Sequence, residues 1–72
     1  MIGARIRAYM KENGIKQTFV AKAAGLPDST LSDICIRNRR IEITEYVRIC
    51  RALNVPLETF VNDISLIERK ED

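Results

Sequence analysis

The sequence predicts an all-α domain of five short helices, and three observations carry that expectation. Apolar residues recur at helical spacing in five separate stretches, glycine, asparagine and proline fall between them, and no alternation lasts long enough to make a paired strand. Seventy-two residues hold one domain. A chain of that size buries only roughly 60% of its unfolded surface, so it needs a compact layout, a staple or a partner.

The first helix carries Ile2, Ile6, Tyr9 and Met10 on one face and should stop at Asn13-Gly14, a common C-terminal signal. Val20, Ala21 and Ala24 share a face of a second, shorter helix ending at Gly25. Leu31, Ile34 and Cys35 do the same on a third, starting near Pro27-Asp28. Proline suits a first turn because its missing N–H would have no partner there. Thr44 is the expected N-cap of a fourth helix, with Tyr46, Ile49, Cys50 and Leu53 in phase and Asn54 to end it. Residues 41–43, Ile-Glu-Ile, alternate like a strand but read as an extended connector. The fifth helix begins near Pro56-Leu57, with Leu57, Phe60, Val61, Ile64 and Ile67 in phase. The domain is expected over residues 1–67, followed by a charged, frayed tail over 68–72.

Composition excludes several functions. Hydrophobic content of 46% and charged content of 31% describe an ordinary soluble globular domain. Aromatic residues make up 6% and tryptophan is absent, which argues against base stacking as the main activity. Two cysteines, Cys35 and Cys50, both in apolar helical patterns, make no disulfide framework and read as small buried hydrophobes. Histidine is absent, so mixed Cys/His zinc sites and Cys–His nucleophiles are excluded. No metal site, cofactor, small-molecule ligand or catalytic residue is expected, and the carboxylates scatter over helix surfaces. The charged N-terminus lacks a signal-peptide core, and no stretch approaches the roughly 20 apolar residues of a membrane span. A cytoplasmic protein with no membrane contact is expected.

The net charge of +2 says little by itself. Its distribution says more. Residues 1–40 hold Arg5, Arg7, Lys11, Lys16, Lys22, Arg37, Arg39 and Arg40 against Glu12, Asp28 and Asp33, whereas the remainder is net acidic. One end of the molecule is built for a polyanion.

Residues 17–36 read QTFVAKAAGLPDSTLSDICI. Gln17 opens the stretch, Ala21 lies where two helices must approach, Gly25 supplies a positive-φ turn, and Leu26, Ser29-Thr30-Leu31-Ser32 and Ile34 follow. Ile2-Gly3 and Arg5-Ile6-Arg7 precede it, and Ile49-Cys50-Arg51-Ala52-Leu53-Asn54-Val55 with Leu57-Glu58 come after. Together these residues resemble the Cro/C1-type, phage repressor-like (XRE) family of helix-turn-helix DNA-binding proteins, over nearly the whole chain. The resemblance implies a compact five-helix lambda-repressor-like fold, with the motif at the second and third helices, and sequence-specific binding of double-stranded DNA by a small transcriptional regulator of repressor type. The alternative is a protein-interaction module on the same fold, an antitoxin or anti-repressor.

Carried over, the third helix enters the major groove with Asp28, Ser29, Ser32 and Asp33 as base-reading residues. An Asp can accept from cytosine N4 or, as favoured for Asp28, complement the helix N-terminus. Gln17 and Thr18 hold a phosphate at the second helix's N-terminus, and Arg37, Asn38, Arg39 and Arg40 meet the flanking backbone. Three departures from the family pattern stand out. Lys16 is a poor N-cap where Ser or Thr is usual, and Arg37 stands where glycine is usual. Met10 and Cys35 replace a buried Arg–Glu pair of many relatives, a swap that predicts direct contact between them. Relatives bind as two-fold dimers, and Phe60, Ile64, Leu66 and Ile67 are the expected homodimer seam. The competing expectation folds that stripe back onto the first helix.

Overall fold

The computed structural model describes residues 2–37 and 39–61. It contains four α-helices, α1 Ile2–Glu12, α2 Gln17–Ala24, α3 Asp28–Ile36 and α4 Ile43–Leu53, followed by a 3-10 turn over Leu57–Thr59. The fold is all-α, as the sequence predicts. The fifth element starts at the expected place but opens as a 3-10 turn, and the expected positions Ile64, Leu66 and Ile67 lie outside the described residues.

Helix ends follow local chemistry. Gly25 (φ 71°) stops α2 by donating its N–H to the Lys22 carbonyl at 3.1 Å, and the Leu26 N–H reaches the Ala21 carbonyl at 2.9 Å. That pair of bonds satisfies carbonyls the helix would otherwise leave orphaned. Asn54 (φ 59°) ends α4 in the same left-handed conformation. One expected cap is corrected. Glu42, not Thr44, precedes α4: Glu42 is extended, its carbonyl accepts the Tyr46 N–H at 2.9 Å, and its N–H donates to Glu45 Oε1 at 2.9 Å. Glu45 thereby closes a capping box, and the helix begins one residue before the threonine.

Two helix pairs form the body, α1 against α3 and α2 against α4. Ile6, Val20, Ala21, Leu31, Tyr46, Ile49 and Cys50 are fully buried at their meeting. Met10 and Cys35 belong to the same core cluster. Both cysteines are free thiols in apolar surroundings. A close approach occurs at Gly3, where an added Cβ would lie 2.0 Å from the Ile34 carbonyl oxygen. Glycine there lets the α1 backbone touch that of α3.

Phe60 closes the base of this core. It is only 4% exposed. Its ring stands edge-on to Tyr9 of α1 at 5.6 Å and to Tyr46 of α4 at 6.4 Å between centroids. Arg5 Nη1 donates to its carbonyl at 3.1 Å, and the Tyr46 hydroxyl donates to the Leu57 carbonyl nearby. The chain's own α1 and α4 thus take up the Phe60 ring.

Candidate nucleic-acid interface

The interface is built on the contrast between the two sides of α3. Leu31, Ile34 and Cys35 are buried on one side. At a hundred degrees per residue, the opposite side carries Ser29, Ser32, Asp33 and Ile36. Ser29 is exposed, Ser32 and Asp33 are half-buried, and Ile36 is 57% exposed. Asp28 sits exposed in the first turn, where a carboxylate complements the helix dipole. Asp33 faces Arg37 one turn on, with Oδ1 and Nε 3.8 Å apart. That cation offsets part of the negative charge on the outward face.

Gly25 and Ala21 set the angle at which α3 leaves α2. Ala21 is fully buried, and a larger side chain there would overpack the core. The α2 N-terminus opens beside α1, where Gln17 shares a surface recess with Arg7 and Lys11. Lys16 precedes it without any side-chain capping bond, and no acidic residue occupies its first turn. The first N–H groups of a helix have no intrahelical partner, so those of Gln17, Thr18 and Phe19 are available to an anion. α4 is different, because Glu42 and Glu45 already supply its N-terminus with carboxylates.

Beside the α2 N-terminus is a surface recess of about 200 Å³ lined by Arg7, Met10, Lys11, Ile15 and Gln17. Arg7 and Lys11 bring two α1 cations to it. Arg7 also acts on the core: burial pushes the Cys35 thiol pKa up from its ordinary value, and the Arg7 charge opposes that rise.

The loop after α3 wraps one carbonyl. The N–H groups of Arg37 and Arg39 both donate to the Asp33 carbonyl oxygen at 3.0 Å. Arg37 has φ −97° and ψ 6°, a conformation open to any residue, which explains how an arginine replaces the usual glycine. Its side chain reaches into solvent. Asn38 lies outside the described residues. Arg39 Nη1 donates to Glu45 Oε1 at 2.9 Å and to the Arg40 carbonyl at 3.1 Å, and Glu45 raises the guanidinium pKa above its ordinary value through that bond.

Sequence reasoning singled out Ser29, Ser32 and Asp33, and α3 carries all three on the side facing away from the core. It missed Ile36, which the same helical wheel reaches three residues past Asp33. Arg7 at the recess was missed as well, because its neighbourhood depends on how α1 docks. Among the described residues, no group of three or more acidic or thiol side chains is placed to hold a metal ion. No helix among them is long and apolar enough to cross a membrane.

A family model described as helix-turn-helix matches residues 6–60, a span from the second turn of α1 to the ring that closes the core. No curated protein matches the chain.

Proposed function

Since this chain belongs to the Cro/C1-type helix-turn-helix family of DNA-binding regulators, we propose that it acts as a sequence-specific repressor that lays α3 in the major groove. The carrying observation is the two-sidedness of α3. Its apolar side is consumed by the core, and its other side presents small polar groups and one aliphatic tip with no helix among the described residues over them.

In this reading Ser29 and Ser32 donate to or accept from base edges, Asp33 accepts from cytosine N4, and Ile36 packs on a thymine methyl group. Asp28 serves the α3 dipole. Phosphate contacts fix the register. One phosphate sits at the open α2 N-terminus, held by the Gln17 and Thr18 side chains and backbone N–H groups, with Arg7 and Lys11 beside it. Arg37 and Arg40 serve the flanking backbone. A single module makes few base contacts, so two copies bind as a two-fold dimer on half-sites about 34 Å apart.

The acidic outward face favours a second reading, in which Asp28 and Asp33 meet a basic protein partner in the manner of an antitoxin or anti-repressor. Selection of bound fragments from random duplexes separates the two. The DNA reading expects a two-fold symmetric site whose affinity falls log-linearly with salt; recovery of no enriched sequence would favour the protein partner.

A further inference from the structure

Arg37, Arg39 and Arg40 follow α3, and the geometry treats Arg37 and Arg39 unequally. Arg37 extends into solvent, whereas Arg39 is turned back onto α4. The Arg39 side chain is 38% exposed and that of its partner Glu45 only 12%. Glu45 Oε1 is a shared anchor. It accepts the Glu42 N–H at 2.9 Å and Arg39 Nη1 at 2.9 Å, and the same Nη1 donates to the Arg40 carbonyl at 3.1 Å. One carboxylate oxygen thus joins the head of α4, the Arg39 side chain and the backbone of Arg40.

We infer that Arg39 is a positioning residue for phosphate binding, pinning the Arg40 backbone to the Glu45 anchor, and is not itself a phosphate ligand. The inference rests on the DNA-binding reading and assigns roles within it. For Arg39 to reach a phosphate it would have to leave a charge-assisted bond of good length. Glu45, mostly shielded from water, would then face the DNA without its counter-charge. Holding Arg39 in place instead neutralises Glu45 and ties Arg39 and Arg40 to the head of α4. Those ties are in place before DNA arrives, so the loop loses less conformational freedom on binding.

The two roles differ in how many counterions are released. A direct phosphate contact contributes about 0.9 of its own to the slope of log K against log salt, and a positioning residue contributes only through the ligand it positions. The test uses the full chain and a duplex selected by the unmodified protein, titrated over a salt series. Arg39→Ala should weaken binding about fivefold at moderate salt and lower the slope by no more than the Arg40 share, about 0.9, so that the double variant falls by about 0.9 and not about 1.8. Arg40→Ala should lower the slope by about 0.9 in the unmodified chain and by clearly less when Arg39 is also alanine. That loss of additivity is the signature of positioning, because an effect on global stability alone would leave the Arg40 contribution intact. Circular dichroism checks folding of each variant. Should Arg39→Ala unfold, Arg39→Gln carries the same slope measurement.

A slope lowered by about 0.9 on Arg39→Ala, with Arg40→Ala fully additive, would make Arg39 a ligand and overturn the inference. Unchanged affinity on Arg39→Ala overturns it too. If the unmodified chain shows no salt-dependent binding to any duplex, the DNA-binding reading itself fails, a result distinct from either.

Discussion

A Cβ on Gly3 would lie 2.0 Å from the Ile34 carbonyl oxygen and 2.9 Å from its carbonyl carbon, and backbone atoms cannot swing aside as a side-chain tip can. Helix propensity alone would reward Gly3→Ala by about 1 kcal/mol. The collision opposes this and is larger, so Gly3→Ala should lose at least about 3 kcal/mol in urea unfolding. A variant as stable as the parent would mean that α1 and α3 do not touch there. Ile36 carries a different residue-scale expectation. Ile36→Ser should abolish a thymine preference at one position of the selected site. Replacing that thymine by deoxyuridine should weaken the parent and leave the variant unaffected; equal sensitivity in both removes Ile36 from base reading. Of these two residues, Gly3 was legible only as part of a family pattern, since its constraint comes from a helix about thirty residues away. Ile36 was within reach of the helical wheel that gave Ser29 and Asp33.

Single helices were the most readable level of the sequence. Gly25 and Asn54 mark helix ends by a left-handed backbone that few residues adopt, and both lie where expected. The start of α4 was less legible, because Glu42 and Thr44 both suit a cap and only the reach of Glu45 to the Glu42 N–H decides between them. The fifth element shows the other limit of local pattern. Leu57, Phe60 and Val61 fit a helical stripe, yet the chain makes a 3-10 turn there as Phe60 turns in between Tyr9 and Tyr46. At Gly25 the constraint is conformational, for the nearest atom to an added Cβ is Arg48 Nη1 at 3.9 Å. Gly25→Ala should therefore cost about 1–2 kcal/mol from the left-handed backbone alone, and Gly25→Asn less, because asparagine tolerates that conformation. Thermal melts of the two variants provide the comparison. Equal losses would place the constraint in packing.

At the scale of the whole molecule, one core holds both α-helical pairs and several weak acids at once. Burial, with help from Cys50, pushes the Tyr46 hydroxyl from 10.0 to about 12, and burial raises the thiols of Cys35 and Cys50 above 9.0. Each protonated form is favoured by folding. Their contribution is thus complete below pH 9 and is lost as the pH climbs towards 12. The urea midpoint should hold from pH 7 to about 9 and then fall steadily; a midpoint that rises above pH 10 would show these groups to be less buried than described. The same core gives α3 its orientation. With Leu31 and Ile34 inside the core, the helix has one side left, with the Arg37 side chain at its C-terminal end.

Guanine N7 lies in the major groove, so its chemical methylation on the selected duplex reports directly whether α3 occupies that groove. The account predicts two protected patches about one helical turn apart, with Ser29→Ala changing protection at one or two base pairs in each. A tightly bound duplex with every guanine N7 still reactive would contradict it.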